Sequence, residues 1–198
     1  MAPKYGDTTD LTFATKLFAI EFPTFLRVIG ALFRVAGLKE NWLSNSGIAK
    51  VFDLEEQCIK ALRSKKIKKG DLLVLRYCGP KGSPGMPVLS GLKDALETSG
   101  LEESVAILTD GRVLLSGKTP AFVHLAPEAA VGSALSIVED GDLVSWNFFN
   151  RSLSLRLTDT EIKVRLSRWK EQEKNMKNSF LYRYCKYVSP SSLGATLI

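Results

Sequence analysis

Short apolar runs separated by polar turns fill the middle of this chain. A run of four to eight apolar residues between glycine, proline or acidic turns is typical of a buried strand. Turns such as Asp110-Gly111 and Asp140-Gly141 separate several of these runs. The runs predict strands over residues 71–77, 104–108, 122–125, 135–138, 143–148 and 153–157. The pattern therefore predicts a β-rich core.

Helical spacing of apolar residues precedes and follows this core. Residues 11–20 and 23–35 predict two helices, with Gly37 as a C-terminal cap. Residues 54–63 predict a short helix, and a capping box at Thr158 starts a last one that runs toward Lys174. Residues 39–50 have the polar composition of a linker. We therefore expect a helical arm and linker over residues 1–46 and an α+β domain over residues 47–198.

Composition narrows the class of protein. The 198 residues are 45% hydrophobic and 24% charged, which excludes a disordered chain, a collagen and a disulfide scaffold. Three widely spaced cysteines and one histidine form no zinc motif, so we predict no metal ligands.

Apolar stretches stay below the ~18 uncharged residues of a membrane span. No signal peptide is evident. We expect a cytoplasmic protein, with an organellar matrix left open.

The positive charge is modest and unevenly distributed. The net charge is +6, and lysines cluster at Lys65, Lys66, Lys68 and Lys69, directly after a predicted helix. A solvated turn that complements the helix dipole is the preferred interpretation of this cluster, and a nucleic-acid or phosphate patch is the alternative. We expect no nucleic acid and no membrane as partners.

Two loops carry residues that suit an anionic ligand. Residues 79–87 follow a predicted strand directly and contain three glycines and three prolines. Glycines let backbone N–H groups approach an anion, but a purely structural turn has the same composition. Arg112 and Lys118 lie near glycine turns and suit a carboxylate or phosphate. We predict Gly82, Gly85, Met86, Arg112 and Lys118 as substrate-binding residues.

Six motifs follow one another along the chain: Val51-Phe52-Asp53, residues 76–87, residues 108–112, Ser116-Gly117-Lys118, residues 124–129 and residues 138–142. Their order resembles the C-terminal domain of the dihydroxy-acid dehydratase and 6-phosphogluconate dehydratase family, over about residues 47–198. The resemblance implies a swivelling, barrel-like domain with flanking helices, as in the C-terminal domain of aconitase-type enzymes. It implies dehydration of a 2,3-dihydroxy acid to a 2-keto acid with an iron–sulfur cluster and Mg²⁺.

Three features depart from the family pattern. The resemblance implies a magnesium-binding glutamate after Gly-Met-Pro, where this chain has Val88. It implies a catalytic serine two residues after Asp-Gly-Arg, where this chain has Leu114. Ser116 is the nearest hydroxyl and becomes the candidate base only if the alignment slips. The cluster cysteines belong to the family's N-terminal domain, so we expect no cofactor in this chain.

These departures leave three interpretations of function. The chain is a truncated or degenerate member, a pseudoenzyme inactive alone; or it completes a split dehydratase with a cluster-bearing partner chain; or it is a non-enzymatic module for an anionic ligand or partner. The apolar residues 11–38 are the expected contact for a second copy or for the cluster-bearing chain. The substrate stays open between branched-chain amino-acid biosynthesis and sugar-acid metabolism.

Overall fold

The computed structural model describes residues 15–20, 28–34, 37–172 and 179–197. These residues form ten strands: β1 (Thr15–Ile20), β2 (Val28–Arg34), β3 (Ser44–Phe52), β4 (Asp71–Leu75), β5 (Val88–Leu89), β6 (Ala106–Thr109), β7 (Arg112–Val113), β8 (Ala121–Ala126), β9 (Leu143–Asn147) and β10 (Ser152–Leu155). They also form four α-helices: α1 (Glu55–Arg63), α2 (Gly91–Ser99), α3 (Asp159–Arg168) and α4 (Phe180–Tyr187). The predicted α+β class with a β-rich core is confirmed.

Eight strands form one mixed sheet in the order β1-β2-β8-β6-β4-β3-β9-β10. The four central strands β8, β6, β4 and β3 are parallel, and the strands outside them pair antiparallel. All five residues of β4 are buried, as expected for a parallel strand covered on both faces. β5 and β7 form a separate parallel pair. The carboxyl ends of the central strands lie along one edge, where open α/β sheets bind ligands.

Two apolar cores cover the two faces of the central strands. Leu73, Leu75 and Ile107 pack with residues of α1 and α2 on one face. The neighbouring residues Leu72 and Val74 face a second core that contains most of the buried aromatic side chains. β1 and β10, at opposite ends of the strand order, lie against each other. The sheet is therefore curled into a half-barrel around the second core.

The predicted helical arm is wrong for the residues that the structure describes. Residues 15–20 and 28–34 are strands β1 and β2, and β2 pairs with β8 of the main sheet. Phe33 is completely buried and its ring stacks on Phe122 with centroids 4.3 Å apart. A run of apolar and β-branched residues fits either element, and here the backbone of β8 supplies the partner. The other predicted helical residues, 11–14, 23–27 and 35, lie outside the described residues.

Two further expectations are corrected. Residues 39–50 are not a linker, since Glu40–Trp42 form a 3-10 helix and Ser44 begins β3. Gly47 is needed there because a Cβ would lie 2.9 Å from the Cβ of Leu72. The apolar run at 135–138 lies in a 3-10 helix, Ala134–Ile137, rather than a strand. The division at residue 46 stays a prediction. No helix in the described ranges is long and apolar enough to cross a bilayer.

The stacked pair Phe33 and Phe122 tests whether β2 belongs to the core. We expect Phe33→Ala to lower the free energy of unfolding by about 3–5 kcal/mol, because it leaves a cavity in the second core and removes a ring contact. Phe149→Ala is the matched control, since Phe149 is 67% exposed. Urea unfolding followed by circular dichroism measures both variants. Equal, small decreases in the free energy of unfolding for the two variants would show that β2 does not contribute to the core.

Candidate functional site

Three loops meet at the carboxyl edge of the main sheet. The 79–87 loop follows β4, Asp110 and Gly111 follow β6, and Pro127 and Glu128 follow β8. Side-chain carboxylates from two of these loops bind backbone N–H groups of the others. The site is therefore held together by hydrogen bonds between loops.

Asp110 is completely buried and connects two of the loops. Its Oδ1 accepts a hydrogen bond from the Cys78 N–H at 2.9 Å, and its Oδ2 accepts one from the Ala129 N–H at 2.8 Å. Burial raises the pKa of Asp110 to about 7, although hydrogen bonds from the N–H groups of Ala129, Cys78 and Tyr77 lower it. The neighbouring charge of Glu128 raises the pKa further. This carboxyl group thus fixes the spacing of the loops after β4 and β8.

Glu128 holds the first residues of the 79–87 loop. Its Oε2 accepts hydrogen bonds from the N–H groups of Lys81 at 2.9 Å and Gly82 at 2.8 Å. A Cβ at Gly82 would lie 2.5 Å from the carbonyl carbon and oxygen of Tyr77, so only glycine allows the loop to fold back on itself. The structure thus shows a packing requirement for Gly82, and its contact with substrate stays a prediction.

Strained backbone borders the site. Tyr77, Met86 and His124 have positive φ angles of 61°, 49° and 54°, a region that non-glycine residues rarely occupy. The predicted site residue Gly85 also has a positive φ, 77°, which glycine adopts without strain. Strain of this kind is maintained by surrounding contacts and concentrates at functional sites.

The small sheet of β5 and β7 presents one exposed face. Val88 and Arg112 are register partners, and the Leu114 N–H donates to the carbonyl oxygen of Leu89 at 3.2 Å. Val88 is 42% and Leu114 is 54% exposed, whereas Leu89 and Leu115 are buried. Because side chains alternate along a strand, Val88, Arg112 and Leu114 share one side. We call these three residues the β5–β7 face.

Arg112 is positioned on this face by its backbone neighbours. Its Nε donates a hydrogen bond to the carbonyl oxygen of Met86 at 2.7 Å, and no ion pair to Arg112 occurs within the described residues. Half-buried His124 lies close by: burial lowers its pKa, and the charge of Arg112 lowers it further. His124 is therefore neutral near pH 7. The fork of Arg112 suits a carboxylate.

The other two predicted residues lie elsewhere. The Ser116 hydroxyl donates to Glu102 Oε2 at 3.1 Å, and Lys118 Nζ lies 2.9 Å from Glu102 Oε1 and 3.5 Å from Glu103 Oε1. These residues lie just before β8 and β6, at the amino edge of the parallel strands. The structure thus brings Gly82, Gly85, Met86 and Arg112 to one edge and leaves Ser116 and Lys118 at the opposite one, while their roles stay predictions.

A cleft of about 520 Å³ lies between α3 and the ends of β3 and β4, and none of the β5–β7 face residues lines it. Arg76 donates to Asp53 at 2.8 Å and to the carbonyl oxygen of Ser136 at 2.8 Å. Arg165 binds both carboxylate oxygens of Asp142. Since these cations are already paired, the cleft offers an anion less charge than its arginines indicate.

The residues present do not fit an iron–sulfur cluster or Mg²⁺. Cys58, Cys78 and Cys185 are buried, and burial raises the pKa of Cys58 and Cys78 to about 12, which disfavours the thiolate that binds iron. Across the described ranges, no three His, Cys, Asp or Glu side chains are grouped as metal ligands. Val88 has no side-chain oxygen for a hard cation.

Known proteins are similar to this chain over most of its length. The family described as "Dihydroxy-acid/6-phosphogluconate dehydratase C-terminal" matches residues 25–195. The dihydroxy-acid dehydratase of Caldanaerobacter subterraneus is 39% identical over 166 residues, which are 84% of this chain and 30% of that protein. The Archaeoglobus fulgidus protein is 39% identical over 169 residues, 85% of this chain and 30% of its own length. The dihydroxy-acid dehydratase of Sulfolobus acidocaldarius is 42% identical over 166 residues, which are 84% of this chain and 29% of that protein.

These matches define the extent of the similarity. The chain spans about three tenths of the length of the curated relatives it matches. The family match begins at residue 25 rather than near residue 47, so it includes strand β2. The recognised domain is therefore longer at its amino end than the motifs alone indicate.

Sequence reasoning missed the buried carboxylates and the histidine. Asp110 and Glu128 were part of quoted motifs, but no role was predicted for them. Their signal is an acidic residue one or two positions after a largely buried apolar strand, where a carboxylate can accept backbone hydrogen bonds. The single histidine, His124, forms no metal motif with the cysteines, and no other role was predicted for it. Its positive φ could not be read from the sequence.

The carboxyl group of Asp110 predicts a pH dependence of stability. Its pKa is about 7 in the folded protein and ~3.9 in an unfolded chain, so the folded state binds the proton more tightly. We expect its stabilising contribution to be complete below about pH 4 and lost as the pH rises to 7. Urea unfolding of the wild type and of Asp110→Asn across this range measures this contribution. The difference between their free energies of unfolding should become smaller as the pH rises.

Asp94→Asn serves as the control for this measurement, because Asp94 is exposed on α2. The difference between the wild type and this variant should stay nearly constant with pH. A wild-type advantage over Asp110→Asn that grows from pH 4 to 7 would contradict the raised pKa. It would show that the backbone hydrogen bonds outweigh burial.

Proposed function

The chain belongs to the dihydroxy-acid/6-phosphogluconate dehydratase family through its C-terminal domain, and on this basis we propose that it is a ligand-holding domain that binds the carboxylate of a 2,3-dihydroxy acid. Arg112 makes the principal contact. The domain does not by itself convert the acid to a 2-keto acid.

The β5–β7 face is the observation that carries this proposal. Val88 occupies the position at which the resemblance implies a magnesium ligand, and Leu114 the position at which it implies the base. Both are exposed and lie beside Arg112 on the same side of the small sheet. An apolar side chain can neither coordinate Mg²⁺ nor accept a proton. Arg112 still offers a fork to a carboxylate.

The scaffold around the face supports binding without this chemistry. The hydrogen bonds of Asp110 and Glu128 hold the 79–87 loop through backbone groups alone. Arg112 is anchored to Met86 in that loop. The family's ligand loop therefore keeps a defined shape although Val88 and Leu114 are apolar.

The wider context is part of the same proposal. The domain acts in the cytoplasm and swivels as in aconitase-type enzymes. It contacts a second copy or a cluster-bearing chain through residues 11–38. Ala31 and Phe33 are buried in the domain's own core, so this contact uses other apolar residues of that segment.

Ligand binding tests the role of Arg112. We expect 2,3-dihydroxyisovalerate to bind the wild type and Arg112→Gln to bind it about tenfold more weakly, since a hydrogen-bonded charge contact is lost. Arg156→Gln is the matched control and should bind normally, because Arg156 is exposed after β10, at the far end of the strand order. Isothermal titration calorimetry gives the three dissociation constants. Equal weakening of both variants, or binding by neither variant nor wild type, would reject the proposed site.

Catalysis is tested on the same purified chain. After anaerobic iron–sulfur reconstitution we expect a folded, colourless protein that forms no 2-keto acid from 2,3-dihydroxyisovalerate or 6-phosphogluconate. Visible absorption, circular dichroism and a keto-acid assay report the three properties. A brown protein with turnover would show that Val88 and Leu114 do not occupy the catalytic positions.

A further inference from the structure

Six cations lie together at the amino edge of the sheet, in the last turn of α1 and in the segment that joins it to β4. All six are exposed, and in the described part of the chain none of them forms an ion pair or a side-chain hydrogen bond. In contrast, Lys39 and Lys118 at the same edge are paired with Glu103 and Glu102. We call this segment, residues 60–69, the basic turn. Its cations are Lys60, Arg63, Lys65, Lys66, Lys68 and Lys69.

The backbone of the basic turn is well defined. Ile67 is buried and anchors the turn in the core between the two α-helices and the sheet. The Lys66 N–H donates to the carbonyl oxygen of Ala61 at 3.0 Å, and the Lys68 N–H donates to Asp71 Oδ2 at 2.8 Å. The cations are therefore presented on a fixed surface.

The helix dipole explains only part of this charge. One or two cations in the last turn of α1 complement the dipole, and Lys60 and Arg63 already supply them. Lys65 has a φ of 57°, the left-handed region that glycine or asparagine usually occupies after a helix. A lysine in this region strains the backbone, because its Cβ lies too close to the following carbonyl oxygen. The sequence thus keeps a cation where backbone geometry favours another residue.

We propose that the basic turn binds the phosphate backbone of a nucleic acid without sequence specificity. Five of the six cations are lysines, which act as point charges on phosphates rather than as planar readers of bases. The segment contains no aromatic side chain for base stacking. These features favour salt-dependent contact with the backbone alone.

Acidic neighbours favour a narrow polyanion over a flat membrane. The Gly70 N–H donates to the carbonyl oxygen of Ser104 at 2.7 Å, which brings the loop with Glu102 and Glu103 beside the turn. Glu56 lies on α1 before it. A planar anionic surface would press against these carboxylates, whereas a nucleic-acid strand has a high charge density and can contact the turn alone.

The basic turn and the β5–β7 face lie at opposite edges of the sheet. The basic turn comes directly before β4, whereas the 79–87 loop, to which Arg112 of the face is anchored, comes directly after β4. Nucleic acid and the dihydroxy acid therefore bind independently in this arrangement. The inference does not depend on the proposed function. It reverses the solvated-turn interpretation that the sequence alone favours.

Fluorescence anisotropy of a labelled DNA duplex with the full chain tests the proposal. We expect binding that weakens steeply between about 50 and 200 mM salt, and a log–log slope set by the phosphates contacted. The variant K65Q/K66Q/K68Q/K69Q should bind at least about 100-fold more weakly at low salt, with a slope reduced by about 3–4. The control R156Q/K170Q/R183Q/K186Q removes the same charge elsewhere and should bind nearly as the wild type.

Each other outcome overturns the proposal. Absence of salt-dependent binding to the duplex would show that the turn is only solvated. Equal weakening by the two quadruple variants would show an effect of net charge without a site. Tighter binding to vesicles of phosphatidylserine and phosphatidylcholine, or to poly-glutamate, would assign the turn to a lipid surface or an acidic protein. Circular dichroism confirms that both variants are folded.

Discussion

The arrangement of the carboxyl edge depends on the hydrogen bonds of one buried carboxyl group, Asp110. Asp110 accepts hydrogen bonds from backbone N–H groups in the loops after β4 and β8, and these two strands lie on either side of β6. Removal of this group would leave the buried N–H groups of Cys78 and Ala129 without their acceptor, a cost of about 1–3 kcal/mol each. Together with Glu128, Asp110 sets the position of the 79–87 loop, to which Arg112 is anchored.

The residues that shape the loops are different from the residues exposed on the β5–β7 face. The contacts that shape the loops come from Asp110, Glu128 and glycines whose replacement would cause backbone clashes. Val88 and Leu114 project from the small sheet toward solvent and carry none of those contacts. Their side chains can therefore change chemical class while the backbone beneath them keeps its shape. Similarity of fold and similarity of activity are set by different residues.

Much of the central architecture was predictable, because buried parallel strands have continuous apolar sequences and helix α3 has a complete capping box. The strands in the amino-terminal segment could not be predicted in the same way. An apolar run such as 28–34 fits a helix as well as a strand until its partner strand is known. Within the site, the 79–87 loop and Arg112 were identified from residue type. The separation of Lys118 from Arg112 depends on how the chain returns to the amino edge before β8, and six residues of sequence spacing do not reveal that distance.

The curl of the main sheet has a consequence for the behaviour of the domain in a crowded solution. An open sheet ends in two strands whose unpaired backbone groups can recruit strands of other molecules and start aggregation. Here β1 and β10 lie against each other, so each covers the outer flank of the other. A strand from a neighbouring molecule would have to separate them before it could add to either. The half-barrel thus limits edge-to-edge growth of fibrils.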